Sequence, residues 1–360
     1  MKLIKKLTID ERKYLQVVGL KIPYSIEGAG ERRIAKIGPV SIVYYREPST
    51  EAMYLKLFGK KIYVEENRRL KHYKMRDRLD VATKQKIIEK EISPIMGYKL
   101  NLDNPRSYNE KINWLKLHNE DPRITICCDK YAVKAHIDSI LGPGYTVPTI
   151  AQWNDPDNID FNSLPDKFVL KVNWSSGFNI IVKDKATADE KDIKEKLKRW
   201  MQPYSNSYYS YFNWGYKNMK PVCYAEEYIE QLDGQLYDYK FLYSNGKLIY
   251  LLIVTDRLSD NTIAKTYFDE NYNIIPIQSG HRANSNPELP KNLNKMLEVS
   301  KILADDFPLC RVDFYEMGDE IKIGEMTFYC AGGKLPITPV EWDYKLGDKI
   351  DLSTAVGSKS

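Results

Sequence analysis

The hydrophobic residues of this chain follow two patterns that change near residue 165. Between about residues 65 and 165, apolar side chains recur at three- and four-residue spacing within charge-rich segments, which predicts helices. After it, short apolar runs bounded by Gly, Asn or Ser predict strands, with two further helical patterns between them. The predicted strands are residues 167–172, 180–183, 221–229, 238–243, 248–254, 310–316 and 320–328. Strands and helices mixed in this way predict an α+β fold.

The N-terminal part differs from the rest of the chain. Three short apolar or β-branched runs, each broken by Gly, begin at Tyr14, Ile34 and Tyr54 and predict small hairpins. Such a segment could dock on a partner or a membrane surface, or form a small lid of strands on the main core. The predicted organisation is a β-rich accessory segment at residues 1–70, a helical lead-in at 71–160, the main body at 161–345 and a tail at 346–360.

The helical lead-in carries recognisable helix ends. Ser107 stands three residues before Glu110, which is the spacing of a capping box, and Ile112 and Leu115 are predicted to face inward. A second helix begins near Asp129 and is predicted to end at the Gly-Pro-Gly sequence of residues 142–144. Both predictions concern a part of the chain that precedes the candidate chemistry.

Composition narrows the class of protein. Charged residues make up 29% of the 360 positions and the net charge is +5, which suits an anionic ligand such as a nucleotide or an acidic sugar but is too small to indicate nucleic-acid binding. The five Cys residues are odd in number and lack C-x-x-C spacing, which favours reduced thiols in the cytosol. Neither an apolar run of about 18 residues nor a signal-peptide pattern is present. We therefore expect a cytoplasmic protein.

The last predicted hairpin carries two acids that we expect on one face. A three-residue loop at residues 317–319 would make Asp313 and Glu325 diagonal cross-strand neighbours. Two such carboxylates repel unless a cation lies between them, and a hard divalent cation such as Mg²⁺ takes oxygen ligands of this kind. In the alternative interpretation, Arg311 neutralises both acids and no metal binds. A two- or four-residue loop would place the acids on opposite faces and remove the argument.

A turn of small residues after the strand at 167–172 is a candidate phosphate site. Lys171 lies at the end of this strand and could neutralise phosphate oxygens. The backbone N–H groups of Ser175, Ser176 and Gly177 could surround them. Lys183 is expected nearby, across the turn, where it would add positive charge. The alternative is a turn that only connects two strands.

The strand at residues 221–229 is a candidate edge for a purine base. Its exit contains Glu226, Tyr228 and Ile229, and the backbone N–H and C=O groups there could pair with an adenine edge. The alternative is an ordinary strand end. The sequence alone therefore leaves the role of this exit open.

The remaining candidates are charged residues on the later strands. Asp238 and Lys240 share one side of a strand, where they form either a surface ion pair or part of a site. Arg257 follows the next strand and could hold an anionic substrate or intermediate. Phosphoryl transfer needs cations on the phosphates and a metal that bridges their oxygens, and the order of these residues along the chain offers both.

Taken together, these motifs resemble the ATP-grasp superfamily, and more closely its TupA-like group, which is found among bacterial surface-polysaccharide genes. The resemblance extends over about residues 95–345. The segments that carry it are residues 100–116, 129–133, 168–173, 225–229, 238–241, 311–315 and 324–328. It implies an ATP-grasp fold in which two α+β lobes hold a nucleotide between them.

The resemblance also implies ATP and Mg²⁺ as the cofactors and assigns candidate roles. The candidate nucleotide-binding residues are Lys171, Ser175, Ser176, Gly177, Lys183, Glu226, Tyr228, Ile229, Asp238 and Lys240. The candidate metal ligands are Asp313, Glu325 and Thr327. The candidate catalytic residues are Lys240, Arg257 and Arg311. Thr327 stands where many ATP-grasp enzymes have Asn.

Enzymes of this superfamily typically activate a carboxylate as an acyl phosphate, which an amine then attacks. The resemblance thus implies an ATP-dependent carboxylate–amine ligase of bacterial capsular or other surface-polysaccharide synthesis, which joins an amine or amino acid to a sugar carboxylate. Its expected partners are a carbohydrate precursor and, peripherally, polysaccharide-assembly proteins or the membrane. The alternatives are a glycosyltransferase that uses the same cleft for a nucleotide-sugar, and a non-catalytic nucleotide-binding scaffold.

Overall fold

The computed structural model describes residues 72–174, 176–229, 237–255, 263–280 and 287–357, together with the backbone of the strands and helix between residues 4 and 71. Two of the candidate residues, Ser175 and Arg257, lie outside the described residues. The chain divides into two units, Met1–Met75 and Arg76–Ser360. The candidate site belongs to the second unit.

The first unit consists mainly of antiparallel strands paired in chain order. One sheet has three strands and the other has five. The three-stranded sheet contains β1 (Ile4–Ile9), β2 (Arg12–Val17) and β3 (Leu20–Pro23). The five-stranded sheet contains β4 (Ser25–Glu27), β5 (Arg32–Ile37), β6 (Val40–Arg46), β7 (Met53–Leu57) and β8 (Lys60–Glu65). Pairing of neighbours in sequence is the pattern of successive hairpins, as the sequence predicts.

Helices follow these strands, as the helical spacing predicts. They are α1 (Arg68–Asp77), α2 (Val81–Met96), α3 (Tyr108–His118), α4 (Pro122–Cys128) and α5 (Ala132–Leu141). The predicted capping box is present: the Glu110 backbone N–H donates to Ser107 Oγ at 3.1 Å, and the Ser107 backbone N–H donates to Glu110 Oε2 at 2.9 Å. Gly142 is the residue that caps the end of α5, also as predicted.

Helix α3 buries polar side chains as well as the predicted apolar ones. Ile112 and Leu115 are buried, but so are Asn109, Asn113 and Lys116, at i, i+4 and i+7. These three polar residues hold the loop that follows the last strand of the chain. Their partners are the backbone of Leu335 for Asn109, the Gly333 carbonyl for Asn113 and the Gly332 carbonyl for Lys116. An amphipathic pattern alone cannot reveal a helix face that is polar because it binds backbone.

The smaller sheet of the second unit is antiparallel, in the order β11-β10-β12-β9. Its strands are β9 (Thr149–Trp153), β10 (Phe168–Val172), β11 (Asn179–Val182) and β12 (Cys223–Glu227). Two helices lie between β11 and β12 in the chain, α6 (Glu190–Trp200) and α7 (Ser207–Tyr211). Ile193 and Leu197 of α6 are buried, as their four-residue spacing predicts.

The larger sheet is also antiparallel, in the order β16-β15-β14-β13-β17-β18. Its strands are β13 (Asp238–Ser244), β14 (Lys247–Thr255), β15 (Ala264–Phe268), β16 (Ile274–Ile275), β17 (Cys310–Met317) and β18 (Glu320–Thr327). The accompanying helices are α8 (Leu293–Ala304) and α9 (Glu341–Asp348). The two sheets share one hydrophobic core, and the Ile323 backbone N–H donates to the Tyr145 carbonyl at 2.7 Å where β18 meets the segment before β9.

The register of the hairpin β17–β18 differs from the prediction. Met317 pairs with Glu320, so the loop has two residues, and Gly318 adopts a φ of +64°. A two-residue loop with Gly at its first position matches the twist of the flanking strands, which explains why the three-residue prediction is wrong. By itself this loop would separate the two acids onto opposite faces.

A β-bulge at Gly324 returns the two acids to one face. Phe314 pairs with Ile323 and Asp313 pairs with Glu325, which leaves Gly324 as the extra residue. One inserted residue reverses the alternation of side chains, so Asp313 and Glu325 become directly opposite instead of diagonal. A Cβ at Gly324 would lie 2.9 Å from Cε2 of Tyr315, which explains the glycine. Among the described residues, no helix combines the length and the apolar character that a membrane crossing requires.

Candidate active site

The acids of the final hairpin lie within a cluster of cations on one face of the larger sheet. Arg311 binds Asp313 with both arms, from Nε to Oδ1 at 2.6 Å and from Nη2 to Oδ2 at 2.8 Å. Lys240 of β13 is the register partner of Asp313, and its ammonium group also contacts that carboxylate. The contacts between Arg311 and both acids that the alternative interpretation expects are therefore present, and Lys240 shares in the neutralisation of Asp313.

Glu325 is held by groups from two parts of the chain. Lys130 Nζ, from the turn before α5, lies 3.3 Å from Oε2, and Arg311 Nη2 lies 3.4 Å from Oε1. The Thr327 hydroxyl donates to Oε1 at 3.2 Å. Burial would raise the pKa of Glu325, but Lys130, Lys240 and Arg311 outweigh it and lower that pKa well below its ordinary value. The carboxylate is therefore ionised at neutral pH.

Lys240 is fully charged despite its burial. Burial would lower the pKa of its ammonium group, but the carboxylates of Asp313 and Asp238 raise it above its ordinary value. The Asp238 Oδ2 atom lies 3.1 Å from Lys240 Nζ. Asp238 and Lys240 thus belong to the cluster on the sheet and do not form the isolated surface pair that was one of the two interpretations.

A second cluster lies on the smaller sheet, around Glu226 of β12. Its side chain is buried and contacts the ammonium groups of Lys171 on β10 and Lys134 on α5, the latter at 2.6 Å. Lys134 also donates to the Val147 carbonyl at 2.7 Å. Burial lowers the pKa of Lys134, because desolvation outweighs the attraction of Glu226.

The two clusters share one cavity. Its lining includes Lys134, Lys171 and Glu226 from one side, and Lys130 and Glu325 from the other. The cavity measures about 10 Å³, which is room for about one water molecule. Cations and carboxylates occupy the space, so a nucleotide would have to displace ion pairs or separate the two sheets. The sequence predicts that Lys171 and Lys240 converge with Asp313 and Glu325. Lys171 and Glu325 line this cavity, whereas Lys240 and Asp313 are not among its lining residues.

The loop after β10 is anchored at both ends and exposed at its tip. Trp174 is buried and donates from Nε1 to the Trp200 carbonyl at 2.8 Å. Phe178, at the other end, stacks on the Trp200 ring with centroids 5.1 Å apart. Ser176 and Gly177 are exposed, and Gly177 has a φ of +79° that favours glycine. The tip is therefore positioned beside the end of the strand that carries Lys171.

Lys183 does not lie across the turn from Lys171, and that expectation is wrong. Lys171 pairs with Asn179, and Val182 pairs with Phe168 at the other end of the hairpin. Lys183 follows Val182, so its Cα lies about 13 Å along the strand from Asn179, at four residues of about 3.3 Å each. The strand runs away from the turn, which places Lys183 at the opposite end of the sheet from the loop after β10.

Tyr228 and Ile229 occupy the position that the sequence predicts, directly after β12, where both are half-buried. The Lys167 ammonium group lies 5.9 Å from the centroid of the Tyr228 ring. Glu226 differs from them, because its side chain points into the cavity between the two clusters. The Glu226 backbone pairs within the smaller sheet, whereas the Glu226 side chain lines the cavity.

Lys130 and Lys134 are cavity residues that the sequence analysis did not select. Asp129 caps this helix start, with Oδ1 accepting from the backbone N–H groups of Tyr131 and Ala132 at 2.9 Å each. The Lys130 backbone N–H donates to the Asn173 carbonyl at 2.9 Å, which connects the segment before α5 to the loop after β10. The signal was available, because lysines four residues apart at a helix start share one face.

The family model for TupA-like ATP-grasp proteins matches residues 110–351. This chain belongs to the TupA-like ATP-grasp family. The match spans the smaller sheet, the larger sheet and α3, and thus contains both clusters described above. Residues 1–109 lie outside the match. A search of the curated proteins finds no match to the sequence.

Several solved structures are similar to this TupA-like ATP-grasp protein in part. D-alanine–D-alanine ligase from Bacillus anthracis complexed with ATP is 15% identical, with 56% of this chain and 55% of that chain covered and a TM-score of 0.34. The ATP-grasp ligase PsnB complexed with minimal precursor, Mg and ADP gives 12% identity, 58% and 53% coverage and a TM-score of 0.33. The L-amino acid ligase from Bacillus licheniformis is 12% identical, with 57% of this chain and 41% of that chain covered and a TM-score of 0.34. The chain therefore spans about half the length of these proteins.

The residues of the final hairpin fit a magnesium ion of the kind that the ATP-grasp fold implies. Asp313 and Glu325 are direct cross-strand partners on one face, a position in which Cβ atoms lie about 5 Å apart. Among the described residues, no group of three or more His, Cys, Asp or Glu converges as a complete metal site. Mg²⁺ typically takes only one or two carboxylates from the protein and completes its shell with phosphates and water. Two acids and the Thr327 hydroxyl are consistent with that pattern.

Proposed function

We propose that this TupA-like ATP-grasp protein is a Mg·ATP-dependent carboxylate–amine ligase. The observation that carries the proposal is a cavity in which lysines from α5 and β10 meet carboxylates from both sheets. Cations at this density, next to an ionised Glu325, suit the phosphate chain of a nucleotide. Asp313, Glu325 and Thr327 would hold Mg²⁺, which supplies charge neutralisation for the phosphoryl group when it is bound.

The proposed roles of the cations follow from their present partners. Lys134 and Lys171 both contact Glu226, so phosphate oxygens arriving in the cavity would compete with that carboxylate for two ammonium groups. Lys171 would then contact the α- and β-phosphates, beneath the tip at Ser176 and Gly177. Tyr228 and Ile229 would offer their backbone to the adenine. The phosphate contacts replace internal ion pairs with charge-assisted hydrogen bonds, whereas the adenine contacts are hydrogen bonds between neutral groups.

The proposed reaction has two steps, phosphorylation of the carboxylate and attack of the amine. An oxygen of the substrate carboxylate attacks the γ-phosphorus of ATP, the bond to the β-phosphate oxygen breaks, and ADP leaves. The amine nitrogen then attacks the acyl carbon, phosphate leaves, and the amine gives up a proton. Lys240 and Arg311, which lie on either side of Asp313, would hold oxygens of the transferring phosphoryl group during the first step.

We further propose that the substrate carboxylate belongs to a sugar of a bacterial surface or capsular polysaccharide and that the amine is an amine or amino acid. The mild positive charge of the chain and its 27 Tyr residues support an acidic carbohydrate. The glycosyltransferase alternative gains no support from the family match, because that match is to ATP-grasp proteins. Peripheral association with assembly proteins or a membrane, and action in the cytoplasm, belong to the same proposal.

Hydroxylamine trapping tests this function directly. The protein is incubated with Mg·ATP, hydroxylamine and one carboxylate at a time, from glucuronate, galacturonate and D-alanine. We expect ADP and a hydroxamate in equal amounts with a uronic acid, because hydroxylamine attacks the acyl phosphate in place of the amine. Hydroxamate formed only with D-alanine would support the ligase activity but contradict the proposed sugar substrate. Absence of carboxylate-dependent ADP with all three would contradict the proposal.

A further inference from the structure

Lys265 of β15 lies on the same face of the larger sheet as the candidate active site. It pairs with Val254, which pairs with Asp238, and Asp238 is two residues before Lys240 on that strand. Directly opposed residues share a face, and so do residues two apart along a strand. The sequence analysis did not select Lys265, although it is a cation in a strand whose other residues are buried.

Lys265 differs in its partners from the other cations of the candidate active site. Each of the others lies within an ion-pair distance of a carboxylate: Lys130 of Glu325, Lys134 and Lys171 of Glu226, and Lys240 and Arg311 of Asp313. Within the described ranges, Lys265 has no such carboxylate. Among the residues that the structure describes, the charged groups that act on it are Arg311 and Lys240, and both repel a further positive charge. A half-buried ammonium group beside two cations is unfavourable unless an anion joins it.

The position of Lys265 separates it from the phosphate chain of the nucleotide. The cavity that holds Lys171 and Glu226 adjoins β18, and β15 is four strands away from β18 in the sheet. At about 4.8 Å per strand, that separation is about 19 Å. Lys240 lies between the two, because β13 is two strands from β15 and two from β18. The floor between Lys265 and Lys240 is apolar, formed by the buried side chains of Leu252 and Val254.

We propose that Lys265, with Lys240, forms the subsite that binds the carboxylate of the acyl substrate before its phosphorylation. The inference rests on the proposed function and names the substrate end of the same site. The amine substrate does not suit this position, because an ammonium group would be repelled by three cations. The nucleotide phosphates do not suit it, because their cations lie on the far side of Lys240. A carboxylate placed between Lys265 and Lys240 would lie beside the phosphoryl group held by Lys240 and Arg311.

Burial and the charges of Arg311 and Lys240 lower the pKa of Lys265. An arriving carboxylate would reverse this effect, because an opposite charge favours the protonated form. A bound carboxylate would therefore stabilise the charged form of Lys265, and its binding would appear as a rise in the thermal midpoint.

Thermal unfolding of the full chain tests the subsite. The midpoint is measured with Mg·AMPPNP alone, and again with 50 mM glucuronate or D-alanine added. We expect either or both carboxylates to raise the unfolding midpoint of the wild type by 3 °C or more, because a ligand that binds only the folded state stabilises it. The midpoint of Lys265→Met should stay within 1 °C of its own midpoint without carboxylate. Lys265→Arg, which keeps the charge, should retain most of the wild-type shift. Lys301→Met, at an exposed position on α8, should behave as the wild type.

The possible results distinguish a failure of the proposed subsite from a failure of the proposed function. An equal carboxylate shift in the wild type and Lys265→Met, or no shift in either, overturns the subsite. Failure of Mg·AMPPNP to raise the midpoint of the wild type counts against the proposed function instead. In the hydroxylamine assay, Lys265→Met should raise the KM for the carboxylate at least tenfold while the KM for ATP stays within twofold. A change in KM for ATP of the same size would contradict the assignment.

Discussion

Replacing Asp313 by Asn is expected to lower Mg²⁺-dependent ADP formation at least 100-fold, and replacing Glu325 by Gln is expected to have an effect of the same order. Each change removes a carboxylate from the pair that the proposed function assigns to Mg²⁺, and loss of one preorganised electrostatic group costs about 10² to 10³ in rate. Asn at 313 also leaves Lys240 and Arg311 without their shared carboxylate, so two cations compete for the phosphates in place of the metal.

The matched control for both variants is Glu320→Gln. Glu320 lies on β18 with Glu325, but its side chain is exposed and pairs with Lys322 at 3.1 Å. We expect it to keep more than half of the wild-type rate. Asp313 is buried, so the thermal midpoint is measured for every variant, and the less buried Glu325 provides the cleaner comparison. Retention of more than a tenth of the rate in folded Glu325→Gln would contradict the metal assignment.

Lys116 is expected to make the free energy of unfolding strongly dependent on pH. Its side chain is buried on α3, where it donates to Asn113 Oδ1 at 2.8 Å and to the Gly332 carbonyl, both uncharged groups. Burial, with a smaller contribution from Lys334, lowers the pKa of Lys116 from 10.5 to about 7. Between these values the unfolded chain binds a proton that the folded chain does not. Stability therefore rises as the pH rises through this window, by about 1.4 kcal/mol per pH unit.

The measurement compares the wild type with Lys116→Met by denaturant unfolding at several pH values. The difference in unfolding free energy, wild type minus variant, should grow by about 3 kcal/mol between about pH 7.5 and 10. Subtracting the variant removes the contribution of other lysines whose pKa burial lowers, such as Lys84 and Lys111. Lys301→Met, at the exposed position on α8, should give a curve parallel to the wild type. A pH-independent difference between wild type and Lys116→Met would show that Lys116 does not titrate in this range.

The parts of the fold that local rules determine were predictable. The capping box of Ser107 and Glu110 depends on residues three apart, and the end of α5 depends on one glycine. Apolar alternation located both hairpins that carry Lys171 and Lys240. These signals need no knowledge of the rest of the chain, because the interactions that decide them lie within a few residues.

The register of β17–β18 could not be read from alternation. Gly318 suggests a turn but leaves its length open, and the bulge depends on Tyr315 packing where a side chain at residue 324 would lie. Two errors, one in the loop and one in the bulge, cancelled for Asp313 and Glu325 and left them on one face. For Lys183 no second error cancelled the first, so its predicted position across the turn from Lys171 was wrong.

The residues that the sequence analysis missed depend on contacts between distant segments. Lys130 and Lys134 matter because they pair with Glu325 of the larger sheet and Glu226 of the smaller sheet. Lys265 matters because the pairing of β15 with β14 places it on the face of Lys240. Asn113 and Lys116 are buried because a loop more than 200 residues later needs its carbonyls satisfied. In each case the role of the residue depends on a contact with a distant segment, which the residue's own sequence neighbourhood does not reveal.

The central claim is that Mg·ATP binds between the two clusters, on Lys171. Calorimetric titration of Mg·AMPPNP into the wild type and into Lys171→Met tests it most directly. We expect the wild type to bind one equivalent with a Kd below about 100 μM and the variant to bind at least tenfold more weakly, a loss of about 1.4 kcal/mol or more. No binding to the wild type, or equal affinity in the two proteins, would contradict the account.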